Sequence, residues 1–220
     1  MPEYLTEDRS ITLRTAHAIA DKDTLLSLRD QVYVRDQARL GDAHDTALTF
    51  DRFDPYAEYI IAEESTDSGI GPVGTVKIVA DSEIGLPVDE MVDIGHLRQS
   101  GHRLVEFGHL MTIPRVRNRH IGLQLMRAAL IHSLVRFRAT HVLGDFFAEA
   151  DGSLRTFYRQ LGFVQVGSSY QDERFKGGPL SVTGVLDLAD AAERARTAGD
   201  QQDGTSLLHY FFHDYDSHRA

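Results

Sequence analysis

Ile113-Pro114-Arg115-Val116-Arg117-Asn118-Arg119-His120-Ile121-Gly122, continuing L-Q-L-M-R-A-A-L-I-H-S-L-V-R-F to Phe137, is the stretch on which the fold turns. It closes an apolar run, Leu110-Met111-Thr112-Ile113, that suits a strand, bends at Pro114 and passes through an arginine-rich loop. After Gly122 the spacing predicts a helix, with Leu123, Met126, Leu130, Leu134 and Phe137 three and four apart on one buried stripe. The first N–H groups of a helix lack partners and carry the positive end of its dipole, so a strand–loop–helix junction suits an anion. Between Phe107 and Gly144 there are six arginines (Arg115, Arg117, Arg119, Arg127, Arg136, Arg138) and no Asp or Glu, in a chain of formal net charge −10. An anionic ligand is expected at this loop.

Working outward, residues 103–113 read as the central strand. Residues 140–147 are apolar enough to be buried on both faces, which suits a parallel neighbour reached through the helix by a right-handed crossover. Downstream, Asp151-Gly152-Ser153 offers a helix start, Leu154, Phe157, Tyr158 and Leu161 share a face, and Gly162 ends it. Residues 163–167 and 180–187 read as the last two strands, 188–198 as a helix and 199–204 as a linker. Upstream, 11–14 alternates like a first strand, and 18–40 is helical with Leu25, Leu28, Val32 and Tyr33 on one side. Residues 41–49 are polar and loop-like. Residues 56–63 and 73–79 read as a hairpin turned at Gly71-Pro72, and 92–99 as one or two helical turns after the break at Pro87. The apolar tail Leu207-Leu208-His209-Tyr210-Phe211-Phe212 needs cover from its own chain, a partner subunit or the cleft.

Composition narrows the function. With no cysteine, disulfides, Cys-based metal sites and a Cys nucleophile are excluded. The acidic balance argues against general nucleic-acid binding, and no stretch approaches the ~20 apolar residues of a membrane span. The N-terminus M-P-E-Y-L-T-E-D-R lacks a signal-peptide core, so a cytoplasmic location is expected. Of the 11 histidines, His109 and His120 flank the loop and His209 and His213 sit at i, i+4. Neither pair comes with a third ligand, and no metal is expected.

Arg117-Asn118-Arg119-His120-Ile121-Gly122 resembles the R/Q-x-x-G-x-G/A acyl-CoA loop of the GCN5-related N-acetyltransferase (GNAT) superfamily, with His120 in place of the first glycine. Asp151-x-x-Leu154-x-x-Phe157-Tyr158-x-x-Leu161-Gly162-Phe163 resembles a second signature of the same superfamily, with Asp151 for the usual Asn, ~30 residues further on, about the length of a βαβ unit. The resemblance implies an α/β fold with a mixed sheet of about seven strands flanked by helices, splayed at the fourth strand. It implies an acyltransferase domain over 1–187, followed by a C-terminal helix and aromatic tail over 188–220.

The implied donor is acetyl-CoA or another acyl-CoA, held by Leu110, Met111, Thr112, Arg117, Asn118, Arg119, His120, Ile121, Gly122 and Asp151. The implied acceptor is a small-molecule amine. Tyr158 stands where the family often has a general acid for the departing thiolate, and Glu106 where many members carry a carboxylate base. His109 competes for the base role through its unperturbed pKa of ~6.5. Glu106 and His109 would point to opposite faces of a regular strand, but a bulge, which this family has there, would bring both to the cleft.

A narrower resemblance links Leu28-Arg29-x-x-Val32-Tyr33, Asp51-x-x-Asp54, Tyr59, Gly74-Thr75-Val76-Lys77, Pro87 and Glu106 to the N-acyl amino acid synthases and acyl-homoserine-lactone synthases. It implies longer acyl chains delivered on the phosphopantetheine of an acyl carrier protein. Arg29, Tyr33, Asp51 and Asp54 would then serve the acceptor, although loop capping is the simpler reading of the two aspartates. Lys77 and His109 stand where the lactone synthases have arginines, and the chain has no Trp, so lactone formation is not expected. The substituted positions His120 and Asp151 leave room for a non-catalytic acyl-CoA-binding or sensing module, and the aromatic tail for a homodimer formed through it.

Overall fold

A computed structural model describes residues 10–36, 50–148, 153–172, 180–201 and 207–219. Seven strands form one sheet: β1 (Ile11–His17), β2 (Ala57–Thr66), β3 (Gly69–Ala80), β4 (Leu104–Thr112), β5 (His141–Phe147), β6 (Val164–Tyr170) and β7 (Ser181–Asp187). Their order is β1-β2-β3-β4-β5-β7-β6. Every pairing is antiparallel except β4 with β5, which are joined by the expected crossover. The crossover helix is α3 (Ile121–Phe137), preceded in the chain by α1 (Lys22–Arg29) and α2 (Gly95–Gln99) and followed by α4 (Ser153–Leu161).

The sheet has a core on each face, which explains the all-apolar run in β2. Ile60 and Ala62 pack with α3, while Tyr59 and Ile61 join Leu25, Phe53, Leu86 and Ile94 on the other side. The hairpin turn falls at Thr66–Gly69, where Gly69 takes φ 121°, and not at Gly71-Pro72 as expected. Pro72 instead lies within β3, opposite Glu63 at a register shift. A missing N–H is tolerated at such a bulge, so this proline does not turn the chain. Gly74 admits α3 to the sheet: a Cβ there would lie 2.8 Å from the Met111 carbonyl and 3.0 Å from Leu125.

Burial of α3 is wider than the predicted stripe. Ile121, Leu125, Ala129 and Ser133 are buried along with Met126, Leu130 and Leu134, whereas Leu123 and Phe137 are only partly covered. The helix has cover on two sides: the sheet, and the C-terminal helices α5 (Leu188–Gln201), α6 (Leu207–Phe212) and α7 (Tyr215–Arg219). The expected linker is partly helix, since α5 runs through Gly199 to Gln201. Residues 202–206 lie outside the described ones. The apolar tail finds its cover on its own chain. Phe211, Phe212 and Tyr215 are in the main core, and burial stabilises each Phe by roughly 2–3 kcal/mol. Arg127 of α3 fastens the tail, donating to the Asp214 carboxylate at 2.6 Å and the Tyr210 carbonyl at 2.9 Å.

The helix expected over 18–40 begins at Lys22 and widens after Arg29 into a π-helical stretch, Asp30–Asp36, whose Val32 and Tyr33 are buried. Residues 37–49, including the whole of the expected polar loop, lie outside the described ones. Between β3 and β4, a 3₁₀ turn (Pro87–Glu90) and α2 are braced by Arg98, which bonds Asp81 at 2.7 Å and Asp89 at 2.6 Å.

Candidate active site

Pairing of β4 with β5 ends at Phe107 and Gly144, although β4 continues to Thr112 and β5 to Phe147. Beyond that point the strands part and leave a cleft of about 360 Å³. Its β4 wall runs from Glu106 to Thr112. Against β3, Thr75 faces Met111 and Lys77 faces Gly108, so β4 carries one residue more than its partner. The extra residue is accommodated at His109, which takes φ 48°, a left-handed conformation uncommon for a non-glycine residue. With this bulge present, Glu106 and His109 both line the cleft.

Glu106 is buried, and its Oε2 accepts a 2.8 Å hydrogen bond from the Val88 N–H on the 3₁₀ turn after Pro87. His109 Nδ1 lies 3.0 Å from the Tyr33 hydroxyl. On the opposite wall Tyr158 stacks on Phe146, with ring centroids 4.2 Å apart and planes 14° from parallel, and meets Phe163 edge-on. Burial, and secondly the negative charge of Asp145, push the Tyr158 phenol up to about 12. It therefore keeps its proton at neutral pH and can deliver it. Asp145 also lines the cleft and escaped the sequence reading. Its signal is a single carboxylate in the apolar strand H-V-L-G-D-F-F.

The expected acceptor residues divide in two. Asp51 and Tyr33 line the cleft, beside Lys77, whereas Arg29 and Asp54 lie behind it, 2% and 0% exposed. Asp54 accepts from Arg29 at 2.9 Å and from Tyr59, and pairs with Lys77 at 3.1 Å; Lys77 in turn reaches both Asp51 oxygens at 2.9 Å. Burial acts to raise the Asp54 pKa, but the Lys77 and Arg29 charges prevail and hold it below the usual carboxylate range. Asp51 also caps its own turn, accepting from the N–H groups of Phe53 at 2.8 Å and Asp54 at 3.0 Å.

The loop expected to take the donor is a 3₁₀ turn, Pro114–Arg119, leading into α3 through His120 at φ 57°. A glycine takes that conformation freely, so His120 keeps the backbone path at a cost of about 1 kcal/mol. His120 and Asn118 are exposed and stand outside the cleft lining, while the Ile121 side chain belongs to the core. A Cβ at Gly122 would meet nothing within 4 Å, which leaves room for a ligand beside the first turn of α3. The local excess of arginine is balanced in space. Arg115 and Arg119 both bond the Glu64 carboxylate, holding it below its usual range, and Arg117, which lines the cleft, pairs with Asp36. Asp151 lies outside the described residues. Among the described residues no three His, Asp or Glu side chains converge as a metal site requires, and no helix is long and apolar enough to cross a membrane.

This arrangement can hold an anionic handle at the start of α3, admit an extended chain between β4 and β5, and present a carboxylate, an imidazole and a phenol to its far end. The family model for the N-acyl amino acid synthase FeeM matches residues 24–184. No curated protein sequence matches the chain. Among solved structures, FeeM, an N-acyl amino acid synthase from uncultured soil microbes, is similar with a TM-score of 0.64 at 19% identity, over 83% of this chain and 93% of that one. Escherichia coli ElaA is similar at 0.56 and 18% identity, over 80% and 99%. An acyl-CoA N-acyltransferase from Pseudomonas aeruginosa is similar at 0.52 and 19%, over 80% and 99%. At such identities these three likenesses bear on the fold.

Proposed function

This chain belongs to the N-acyl amino acid synthase FeeM family and has the GNAT fold, and from that premise we propose that it moves an acyl group from acyl-CoA to the amine of a small molecule. The observation that carries the reading is the parting of β4 from β5, with Glu106, His109 and Tyr158 on its walls. The donor's phosphates lie at the first turn of α3 beside Arg117, where the positive end of the helix dipole favours negative charge. The pantetheine arm runs between the two strands and brings the thioester to the bulge. There the acceptor nitrogen attacks the carbonyl carbon directly. Its proton passes to Glu106, the C–S bond breaks, and the thiolate takes the Tyr158 proton.

A second reading within the same family uses a longer acyl chain carried by acyl carrier protein, with an amino acid as acceptor. Two observations favour it: the match to an amino acid synthase, and the engagement of Arg115, Arg117 and Arg119 with Glu64 and Asp36. A carrier's single phosphodiester asks for less positive charge than the phosphates of CoA. The test is calorimetric titration with acetyl-CoA and longer acyl-CoAs, followed by a free-thiol assay with acyl-CoA and acyl-carrier donors over a panel of amines. Thiol release from acyl-CoA that depends on the amine and drops in Glu106→Gln supports the first reading. Release from the carrier alone favours the second, and tight binding without release from either donor marks a sensing module.

A further inference from the structure

Of the six arginines between Phe107 and Gly144, Arg138 stands far from the loop before α3. It caps the other end of that helix, where a second cavity of about 680 Å³ opens beside the starts of β4 and β5. The two strands run parallel, so their starts lie at the opposite end of the sheet from the parted strands of the cleft. The volume is of the size that small ligands occupy. Among the described residues, the charged lining is Arg103, Arg138 and Asp187, joined by the imidazoles of His102 and His141 and the phenol of Tyr215 from α7. Two guanidiniums against one carboxylate make a positive pocket in a chain of formal net charge −10.

The carboxylate is already engaged. Asp187 Oδ1 caps α5, accepting from the N–H groups of Ala189 at 2.9 Å and Asp190 at 3.1 Å, and Oδ2 lies 3.5 Å from His141 Nε2. His141 is buried, with Nδ1 3.0 Å from the Thr140 hydroxyl. Burial, and then the neighbouring His102, hold its imidazole below the ordinary range against the pull of Asp187.

Arg103 and His102 are placed differently. Arg103 Nε donates to the Arg138 carbonyl at the negative end of α3, and its terminal nitrogens meet no acceptor among the described residues. His102 lays its ring against His141, with centroids 3.9 Å apart and planes at 39°, and neither of its nitrogens bonds a described residue. Two imidazoles in ring contact resist being charged together. An anion beside His102 offsets that repulsion, and the outer edge of a guanidinium matches the paired oxygens of a carboxylate or phosphate. A cation would meet Arg103 and Arg138 instead.

We propose that this cavity is a second binding site, separate from the cleft, for a small organic anion whose carboxylate or phosphate is held by the terminal nitrogens of Arg103 and a ring nitrogen of His102. Its occupancy requires no turnover in the cleft. A bound anion favours the charged imidazole, so the occupied site holds more protons than the empty one. Affinity therefore rises as pH falls through the imidazole range.

The test follows the histidine side chains of the full-length protein by ¹H–¹⁵N spectroscopy as benzoate, phenyl phosphate or sulfate is added. Sulfate is included because its charge does not change between pH 6 and pH 8. His102 and His141 should shift along a saturating curve, while His132, whose ring pairs with Glu58, should not. Sulfate should bind at least about threefold more tightly at pH 6 than at pH 8. Benzoate binding more tightly than phenyl phosphate assigns the site to carboxylates, and the reverse order assigns it to phosphates.

Arg103→Gln should weaken binding by about tenfold, read at His102. Because Arg103 also caps α3, His102→Gln is the companion variant, read at His141. It leaves every described hydrogen bond in place, and should weaken sulfate binding more at pH 6 than at pH 8. Arg117→Ala should change neither curve, since it alters the loop at the other end of α3. Shifts that rise linearly and alike at His102, His141 and His132 are ionic-strength effects and overturn the proposal. Equal sulfate affinity at the two pH values overturns it too, as does full affinity in both Arg103→Gln and His102→Gln.

Discussion

The donor loop and the Arg29–Asp51–Asp54–Tyr59–Lys77 network are both assemblies of cations and carboxylates, yet they sit in opposite surroundings. The Arg117–Asp36 pair is open to water, with side chains 40% and 23% exposed. Asp54 and its two cations are out of it. An exposed pair contributes about 0–1 kcal/mol, so a phosphate can replace Asp36 as the partner of Arg117 at little cost. A buried pair stripped of one member leaves a charge without water or partner, which costs about 3–5 kcal/mol. Charge alone therefore does not mark a binding site. The loop's pair is open to exchange with an anion, and the network fixes Asp51 and Lys77 in the cleft wall.

The sharpest break of this contrast is Asp54→Ala, which should destabilise the fold by about 3–5 kcal/mol in denaturant titration. A loss under about 1 kcal/mol would put the network on a par with the loop. The Asp54 carboxyl is depressed in the folded state, so its contribution is present above the unfolded Asp value of ~3.9 and fades as pH falls through the lower folded value. The stability gap between wild type and Asp54→Asn should accordingly be wide at pH 6 and narrow in strong acid.

Next in size is Tyr158→Phe, expected to lower kcat by about 10²-fold with the fold intact. With the phenol pushed up to about 12, the wild type should not lose activity through this group's ionisation below pH 10. A basic limb near pH 8 that disappears in Tyr158→Phe would contradict that. Arg117→Ala should weaken donor binding by about tenfold in calorimetry while shifting stability by less than about 0.5 kcal/mol. Smallest of all, Asp36→Ala should leave stability within about 0.5 kcal/mol and tighten donor binding up to a few-fold, because it releases Arg117. Weaker binding in Asp36→Ala would show that the pair is not exchanged.

The crossover could be read directly. An apolar strand, Pro114, Gly122 and a helical spacing of leucines lead to β4 and α3, and a run buried on both faces identified β5. The parted strands came from family resemblance, since no hydrophobic period encodes a divergence. The partners of the loop arginines were hidden for a different reason. Glu64 and Asp36 lie 51 to 81 residues away along the chain, and local charge counts cannot see a cross-sheet pair. The Gly71-Pro72 turn failed because a bulge satisfied the proline more cheaply than a turn did. The change of pitch after Arg29, which delivers Tyr33 to His109, leaves no mark in side-chain spacing.

The closing of α3 by Phe211, Phe212 and Tyr215 has a bearing on biogenesis. During synthesis the helix emerges long before the rings that finish its second flank. Until residues 207–215 clear the ribosome, the nascent chain carries a naked oily ridge on one flank of the crossover helix. Chaperone capture or early aggregation would act in that interval, and slowing elongation over the last helices should lengthen it.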